Sequence, residues 1–355
     1  MALFGKLFTM KYFLLVILSI FLTIQAKSQF GGSATYDFLN LTSSARVNAL
    51  GGNQVGMIDS SELSFSYYNP ATLMPGMNNS ITLNYIDYIS DIKVGYVSYA
   101  RHFENVGTFA AGIQYINYAN FLEALETGEL TGKTFTASDY ALNLIYSRNI
   151  WNNLTGGINI KPIYSSYETY TSFGIAADAG LSYIDSSGNF TVGLVAKNMG
   201  YQLTTYVENG EKEPLPFDLQ AGFSQRLAHA PFRFNVTLHH LTNWNLTDKS
   251  TWDYDHRDPD EPIYGRSDDV IKQFMRHVIL GVEFIPTKNF IVGLGYNFQR
   301  RWELSVKSNT AAVGLSGGFT VKVSKFRVSY AITSYHLSST SNIFSITTNL
   351  SEFMR

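Results

Sequence analysis

The chain has 355 residues, no cysteine, a net charge of -2, and only 15% charged against 15% aromatic residues. This excludes a disulfide scaffold and a cysteine zinc site, an intrinsically disordered chain and a basic nucleic-acid binder. Nothing after the N-terminus offers the roughly 18 consecutive apolar residues of a membrane helix, so a helical multispan protein is excluded as well.

Residues 1–28 read as a signal peptide. Lys6 and Lys11 supply the positive start, Tyr12 to Ile24 the apolar run, and Ala26-Lys27-Ser28 the small-x-small cleavage pattern. The mature chain is expected to begin near Gln29, without a lipid-anchoring cysteine.

Residues 29–80 lack sustained alternation and carry Gly31-Gly32, Gly51-Gly52 and Pro70. Ala45 to Leu50 suits a short helix or turn. Tyr67-Tyr68-Asn69-Pro70-Ala71 reads as a turn opening a helical stretch, because proline tolerates the first helical position. The segment is expected to plug a barrel from inside. A periplasmic arm is the other reading.

From residue 81 to 355 the chain alternates with period two, the signature of strands with one apolar and one polar face. Phe173, Ile175, Ala177, Ala179, Leu181 and Tyr183 oppose Gly174, Ala176, Asp178, Gly180 and Ser182. The pattern recurs from Phe217, from Phe232, from Phe290 through Phe298 (with Ile291 as an exception), and from Phe326. Strands are predicted near 81–88, 92–103, 107–118, 135–149, 152–164, 172–184, 189–199, 215–227, 231–241, 275–286, 289–300, 310–323, 325–336 and 341–350, roughly fourteen in all. About ten residues suffice for a tilted strand to cross a bilayer. Tight connections such as Glu104-Asn105-Val106, Ala228-His229-Ala230 and Thr287-Lys288 alternate with longer ones near 119–134, 165–171, 200–214 and 241–274. Outer-membrane barrels alternate short periplasmic turns with long surface loops in this way. The apolar faces of these segments carry no Lys, Arg, Asp or Glu. The expected fold is therefore all-β: a transmembrane β-barrel of about 14 antiparallel strands with an N-terminal hatch. A large soluble β-sandwich is the alternative, disfavoured by strand length and loop asymmetry.

The hatch motif Gly51-Gly52 and Asn69-Pro70-Ala71, set before such a barrel, resembles the FadL (OMPP1/TodX) family of outer-membrane proteins. The resemblance extends over Tyr36 to Leu41, Ser44 to Gly52, Tyr68 to Ala71, Gly107 to Tyr115, Ala137 to Asn143 and His229 to Phe234. It is strongest to FadL-like members of the type IX secretion system of Bacteroidetes. The resemblance implies a component that anchors a surface attachment and sortase complex, with PorU, PorV and PorZ as partners. Its alternative implication is a transporter of hydrophobic compounds, with a possible bound apolar ligand.

Candidate chemistry is sparse. His239-His240, if on a strand, would point to opposite sides and fail to share one metal without distortion. The loop near 241–274 holds Asp253, Asp255, Asp258, Asp260, Glu261, Asp268 and Asp269, which suit a solvated acidic surface or a Ca²⁺ site. Arg257 stands where a calcium-loop pattern wants an acid. In the same loop Trp244, Trp252, Tyr254, Asp255 and Arg257 form a candidate partner-binding set, since Trp, Tyr and Arg dominate binding hot spots; membrane-girdle anchoring is the competing role for the aromatics. No phosphate loop, nucleophile elbow or zinc-protease run occurs. Neither enzyme activity nor a cofactor is expected. The protein is expected in the outer membrane, in contact with its lipid, long loops facing the cell surface.

Overall fold

A computed structural model describes residues 34–125, 127, 129–246, 270–304, 313–336 and 339–354. The predicted signal peptide lies outside the described residues. Fourteen antiparallel strands form one closed barrel: β1 (Ser80–Asp87), β2 (Lys93–Phe103), β3 (Gly107–Ala124), β4 (Leu130–Trp151), β5 (Leu154–Tyr167), β6 (Tyr170–Ile184), β7 (Phe190–Thr204), β8 (Asp218–Arg226), β9 (Phe232–Leu238), β10 (Val278–Thr287), β11 (Phe290–Asn297), β12 (Leu315–Val323), β13 (Phe326–His336) and β14 (Ser339–Asn349). Each strand pairs with its chain neighbours, and β1 closes on β14 from Ser80↔Asn349 to Asp87↔Asn342. No described helix is long and apolar enough to cross a membrane.

The barrel is inside-out relative to a soluble protein. Along β6 the exposed residues include Phe173, Leu181 and Tyr183, while Ser172, Asp178 and Ser182 are buried. On β11 Leu294 is 64% exposed. An apolar wall bared this far suits hydrocarbon rather than water, because closed strands leave no backbone group unpaired in lipid. Aromatic rings collect in two bands. Near the short turns, Phe109 packs on Phe103 and Tyr146. Toward the opposite end, Tyr115, Tyr140, Tyr164 and Phe173 form a ladder across β3 to β6. Phe109 and Tyr115 share a strand face about 20 Å apart at roughly 3.3 Å per residue, close to the height of a lipid-facing band.

The structure departs from the sequence prediction at the long-loop end. β3 and β4 extend to Ala124 and Leu130, and a tight turn at 168–169 joins β5 to β6 where a longer loop is predicted. Backbone pairing continues through Phe121↔Phe135 to Ala124↔Leu130 and through Tyr167↔Tyr170, so most of the residues predicted as loop there are strand. Conversely, β11 stops at Asn297 and Phe298–Leu304 form a helix (α4 below). The Asn297 side chain accepts the Arg300 N–H at 2.9 Å, a cap that starts the helix and ends the strand. Phe298 keeps the alternating rhythm, which hides the change.

The N-terminal segment fills the lumen. Its elements are a 3₁₀ turn (Asp37–Asn40), helix α1 (Ala45–Ala49), helix α2 (Phe65–Tyr68) and two further 3₁₀ turns (Pro70–Thr72 and Pro75–Met77). Leu39, Val47, Leu50, Leu63, Tyr67 and Leu73 are fully buried. The long connection between β9 and β10 ends in helix α3 (Val270–Arg276), and α4 (Phe298–Leu304) lies beside it at the same end.

Candidate functional site

The hatch is held by two different anchors. The first is the Asn69-Pro70-Ala71 motif. Asn69 caps the following 3₁₀ turn by accepting the Ala71 N–H at 3.0 Å. Its amide donates to the Val55 carbonyl at 3.0 Å, the Ser182 hydroxyl at 3.1 Å and the Leu181 carbonyl at 3.3 Å. One carboxamide thus ties two hatch segments to β6. The wall allows this approach because it is bare of side chains there. A Cβ on Gly180 would lie 2.1 Å from Asn69 Oδ1, and one on Gly157 would lie 2.4 Å from the Pro70 carbonyl carbon. Gly193 on β7 faces the Val55 carbonyl with the same clearance.

The second anchor is ionic. Arg46 on α1 donates through Nε and Nη2 to the two oxygens of Glu283 on β10, at 2.7 and 3.1 Å. Its Nη1 donates to Asp59 at 2.7 Å, and Arg233 on β9 reaches Glu283 at 3.2 Å. The Arg46 and Glu283 side chains are 2% and 0% exposed. Burial alone would raise the Asp59 carboxyl, but Arg46 and the Ser61 hydroxyl hold it well below the ordinary carboxylate range. Gly51 and Gly52 follow α1 with φ of 103° and 96°, a left-handed turn that glycine adopts without strain. The turn lays the chain against β11: a Cβ on Gly295 would sit 2.1 Å from the Gly51 nitrogen.

Further bonds run from the hatch to the wall around its girth. Tyr67 donates to Gln114 on β3 at 2.7 Å, Thr191 on β7 donates to the Gly56 carbonyl at 2.6 Å, and Ala45 N–H donates to Ser345 on β14 at 2.9 Å. Ser147 on β4 donates to the Leu73 carbonyl. Inside the wall Lys161 pairs with Asp178 at 2.7 Å, both fully buried. Lys161 and Lys197 each lie 5.5 Å from the Tyr67 ring centroid.

The structure gathers all five predicted hatch-motif residues into the lumen. Of the predicted partner-binding set it describes Trp244, which is 55% exposed with its ring stacked 5.6 Å from His277. Trp252, Tyr254, Asp255 and Arg257, with the acidic residues of that loop, lie outside the described residues. Beside Trp244, α3 and α4 frame a groove of about 520 Å³ lined by Val270, Ile271, Lys272, Met275, Phe298 and Trp302. Val270 and Ile271 are 72% and 76% exposed.

Two features escaped the sequence. Glu283 stands alone in the apolar run Val278 to Phe284 and was visible as an anomaly, but its partner Arg46 lies 237 positions away. His239 and His240 are predicted on a strand and unable to share an ion. β9 instead ends at Leu238, and His240 takes a φ of 54°, which brings the two rings to 4.7 Å beside Asp218.

With this geometry in hand the chain can be compared with known proteins. No family model matches it, and no curated protein does. Solved structures do. The Pseudomonas putida toluene transporter TodX superimposes with a TM-score of 0.51 at 13% identity, over 86% of this chain and 96% of that one. A TodX monoaromatic hydrocarbon channel mutant gives 0.51 at 12% identity, over 86% and 98%. The fold is that of the FadL-like outer-membrane barrels. A Pseudomonas aeruginosa FadL homologue is also similar, at a TM-score of 0.45, 10% identity, and 87% and 98% coverage. At these identities the likeness concerns architecture alone.

Proposed function

We propose that this protein is a FadL-like outer-membrane barrel that serves as an anchor, a PorQ-like component of the type IX secretion system whose long-loop end faces the cell surface and holds the attachment and sortase proteins. The carrying observation is the apolar groove between α3 and α4, outside the strands and next to exposed Trp244. An apolar surface of this kind, with Lys272 as the one charged residue of its lining, suits a protein partner. The hatch adds support: bonds to β3, β4, β6, β7, β10, β11 and β14 make it a fixed part of the wall. The sequence resemblance to PorQ supplies the partner names PorU, PorV and PorZ.

The fold comparisons favour a second reading, passage of hydrophobic compounds, since both TodX structures are described as a transporter or channel for such molecules. The apolar cluster around Phe38, Leu39, Ile116 and Ile163 in the upper lumen would be the place for such a ligand.

One experiment separates the two. The tagged protein is purified from detergent-solubilised outer membrane, and co-purifying proteins and extractable small molecules are identified by mass spectrometry. Stoichiometric PorU, PorV or PorZ, lost in a Val270→Glu/Ile271→Glu variant that still forms a heat-modifiable barrel, is the expected result. Recovery of the barrel alone with a bound apolar molecule would overturn the anchor in favour of the channel.

A further inference from the structure

Three potential ligand residues meet at the long-loop ends of β8 and β9. Asp218 opens β8, and His239 and His240 follow the last residue of β9. Strand pairing sets Leu238 opposite Ala221, and the Leu241 N–H donates to the Leu219 carbonyl at 3.1 Å, so the two histidines run alongside 218–220. Continued extended backbone would send the imidazoles to opposite faces. The left-handed φ of 54° at His240, uncommon for a residue with a side chain, turns its ring back toward that of His239. One candidate ligand atom from each of the three residues lies within 4.8 Å of the others.

The corner is built rather than frayed. The His239 N–H donates to the His277 carbonyl at 3.0 Å, and His277 Nδ1 faces the His239 carbonyl at 2.8 Å. The His240 N–H donates to Asp218 Oδ1 at 2.6 Å, and His240 Nδ1 lies 3.5 Å from the same oxygen. Gln220 donates to Asp218 Oδ2 at 2.5 Å. Both carboxylate oxygens are thereby oriented, as the carboxylates of metal sites commonly are. The independent sign of a ligand is His239 Nε2. The residue is 5% exposed, yet among the described residues this nitrogen has no hydrogen-bond partner. A buried polar atom left in that state calls for an explanation such as an ion. Asp218, His239 and His240 all line a pocket of about 200 Å³.

We infer that Asp218, His239 and His240 bind a divalent transition-metal ion of the zinc class. Two imidazoles and one carboxylate are the donor set of zinc sites that keep an open position, whereas calcium and magnesium prefer all-oxygen shells. Around a tetrahedral ion with bonds of about 2.0–2.1 Å the donors sit roughly 3.3 Å apart, so ring rotations of modest size close the set. The fourth position opens on the pocket, which Lys197 and Arg300 also line. Those two cations oppose a bare divalent ion and favour an anionic fourth ligand, such as hydroxide or a carboxylate.

The test uses the full chain, purified in detergent with a histidine-free tag and stripped by chelator. Zinc is titrated calorimetrically, and cobalt(II) is substituted to read the visible absorption of a low-symmetry site. One zinc per chain is expected. His239→Gln and His240→Gln should each weaken binding by roughly 100-fold or more, at or beyond the upper end of losses from supporting residues. Asp218→Asn should weaken it too, while His229→Gln in the opposite turn should not. Heat-modifiable migration shows that each variant is folded. His240, with a side chain 25% exposed, is the replacement least able to disturb the barrel. Absence of stoichiometric zinc, or unchanged affinity in folded His239→Gln and His240→Gln, overturns the site.

Discussion

The two anchors of the hatch achieve one result by opposite chemistry. Against β5 to β7 the plug is held by a neutral carboxamide pressed onto glycines, with backbone carbonyls as partners. Against β9 and β10 it is held by Arg46 between two carboxylates, with Arg233 behind them. The carboxamide anchor depends on shape: it needs vacant space on the wall. The ionic anchor depends on balance: each charge is tolerable in the lumen only while the others are present. The first resists acid and salt and fails when a side chain is added. The second tolerates volume changes nearby and fails when a charge is removed.

The largest effect is expected from unbalancing the ionic anchor. Arg46→Met leaves Glu283 and Asp59 without their main partner and should cost about 3–5 kcal/mol. The expected readout is a lower temperature of heat-modified migration and new protease cuts in 34–79. If Arg46→Met cost no more than a surface change, the ionic anchor would be ornamental. Next in size is a charge placed on the lipid face. Leu294→Lys should destabilise by roughly 2–4 kcal/mol if β11 crosses at mid-bilayer, measured by reversible unfolding in liposomes. A cost near zero there would mean that the bare face does not meet lipid.

Removing the carboxamide should cost less. Asn69→Ala takes a donor from the carbonyl of buried Val55, worth about 1–3 kcal/mol, and Gly193→Val should produce a comparable loss by overpacking. Both should show in chemical denaturation of the barrel. The smallest effect is that of acid. Because the Asp59 carboxyl titrates below its ordinary range in the folded state, its contribution is intact above the unfolded value and is lost as pH falls through the folded one. The Arg46–Asp59 pair should therefore hold at pH 5 and loosen only in strong acid. Protease sensitivity of the hatch that rose between pH 7 and pH 5 would contradict this sign.

Strand number was legible because every crossing repeats the same physical demand, a lipid face alternating with a lumen face. Phe173 to Tyr183 shows it without exception. The strand ends were not legible. Past the apolar band the outward residues turn polar, so Leu130 to Thr136 loses its contrast while keeping its ladder. The Asn69-Pro70-Ala71 turn was readable from local stereochemistry. What it docks against was not, because Gly157, Gly180 and Gly193 acquire meaning only when three strands stand side by side. His239 and His240 were misplaced for a related reason: nothing in the residue type announces a left-handed φ at a histidine.

The seam between β1 and β14 has a consequence for biogenesis. Every other neighbouring pair of strands is consecutive in the chain, so those hairpins can zip in order as the polypeptide arrives. Ser80 must instead find Asn349, the most distant strand pairing in the molecule, and such long-range closures are the slow steps of assembly. The segment that ends at Ser80 is the plug, whose footholds lie on strands in both halves of the sheet. It is thus placed to act as a mandrel, gathering the curling sheet around itself so that the first and last strands are already near one another when the ring is completed.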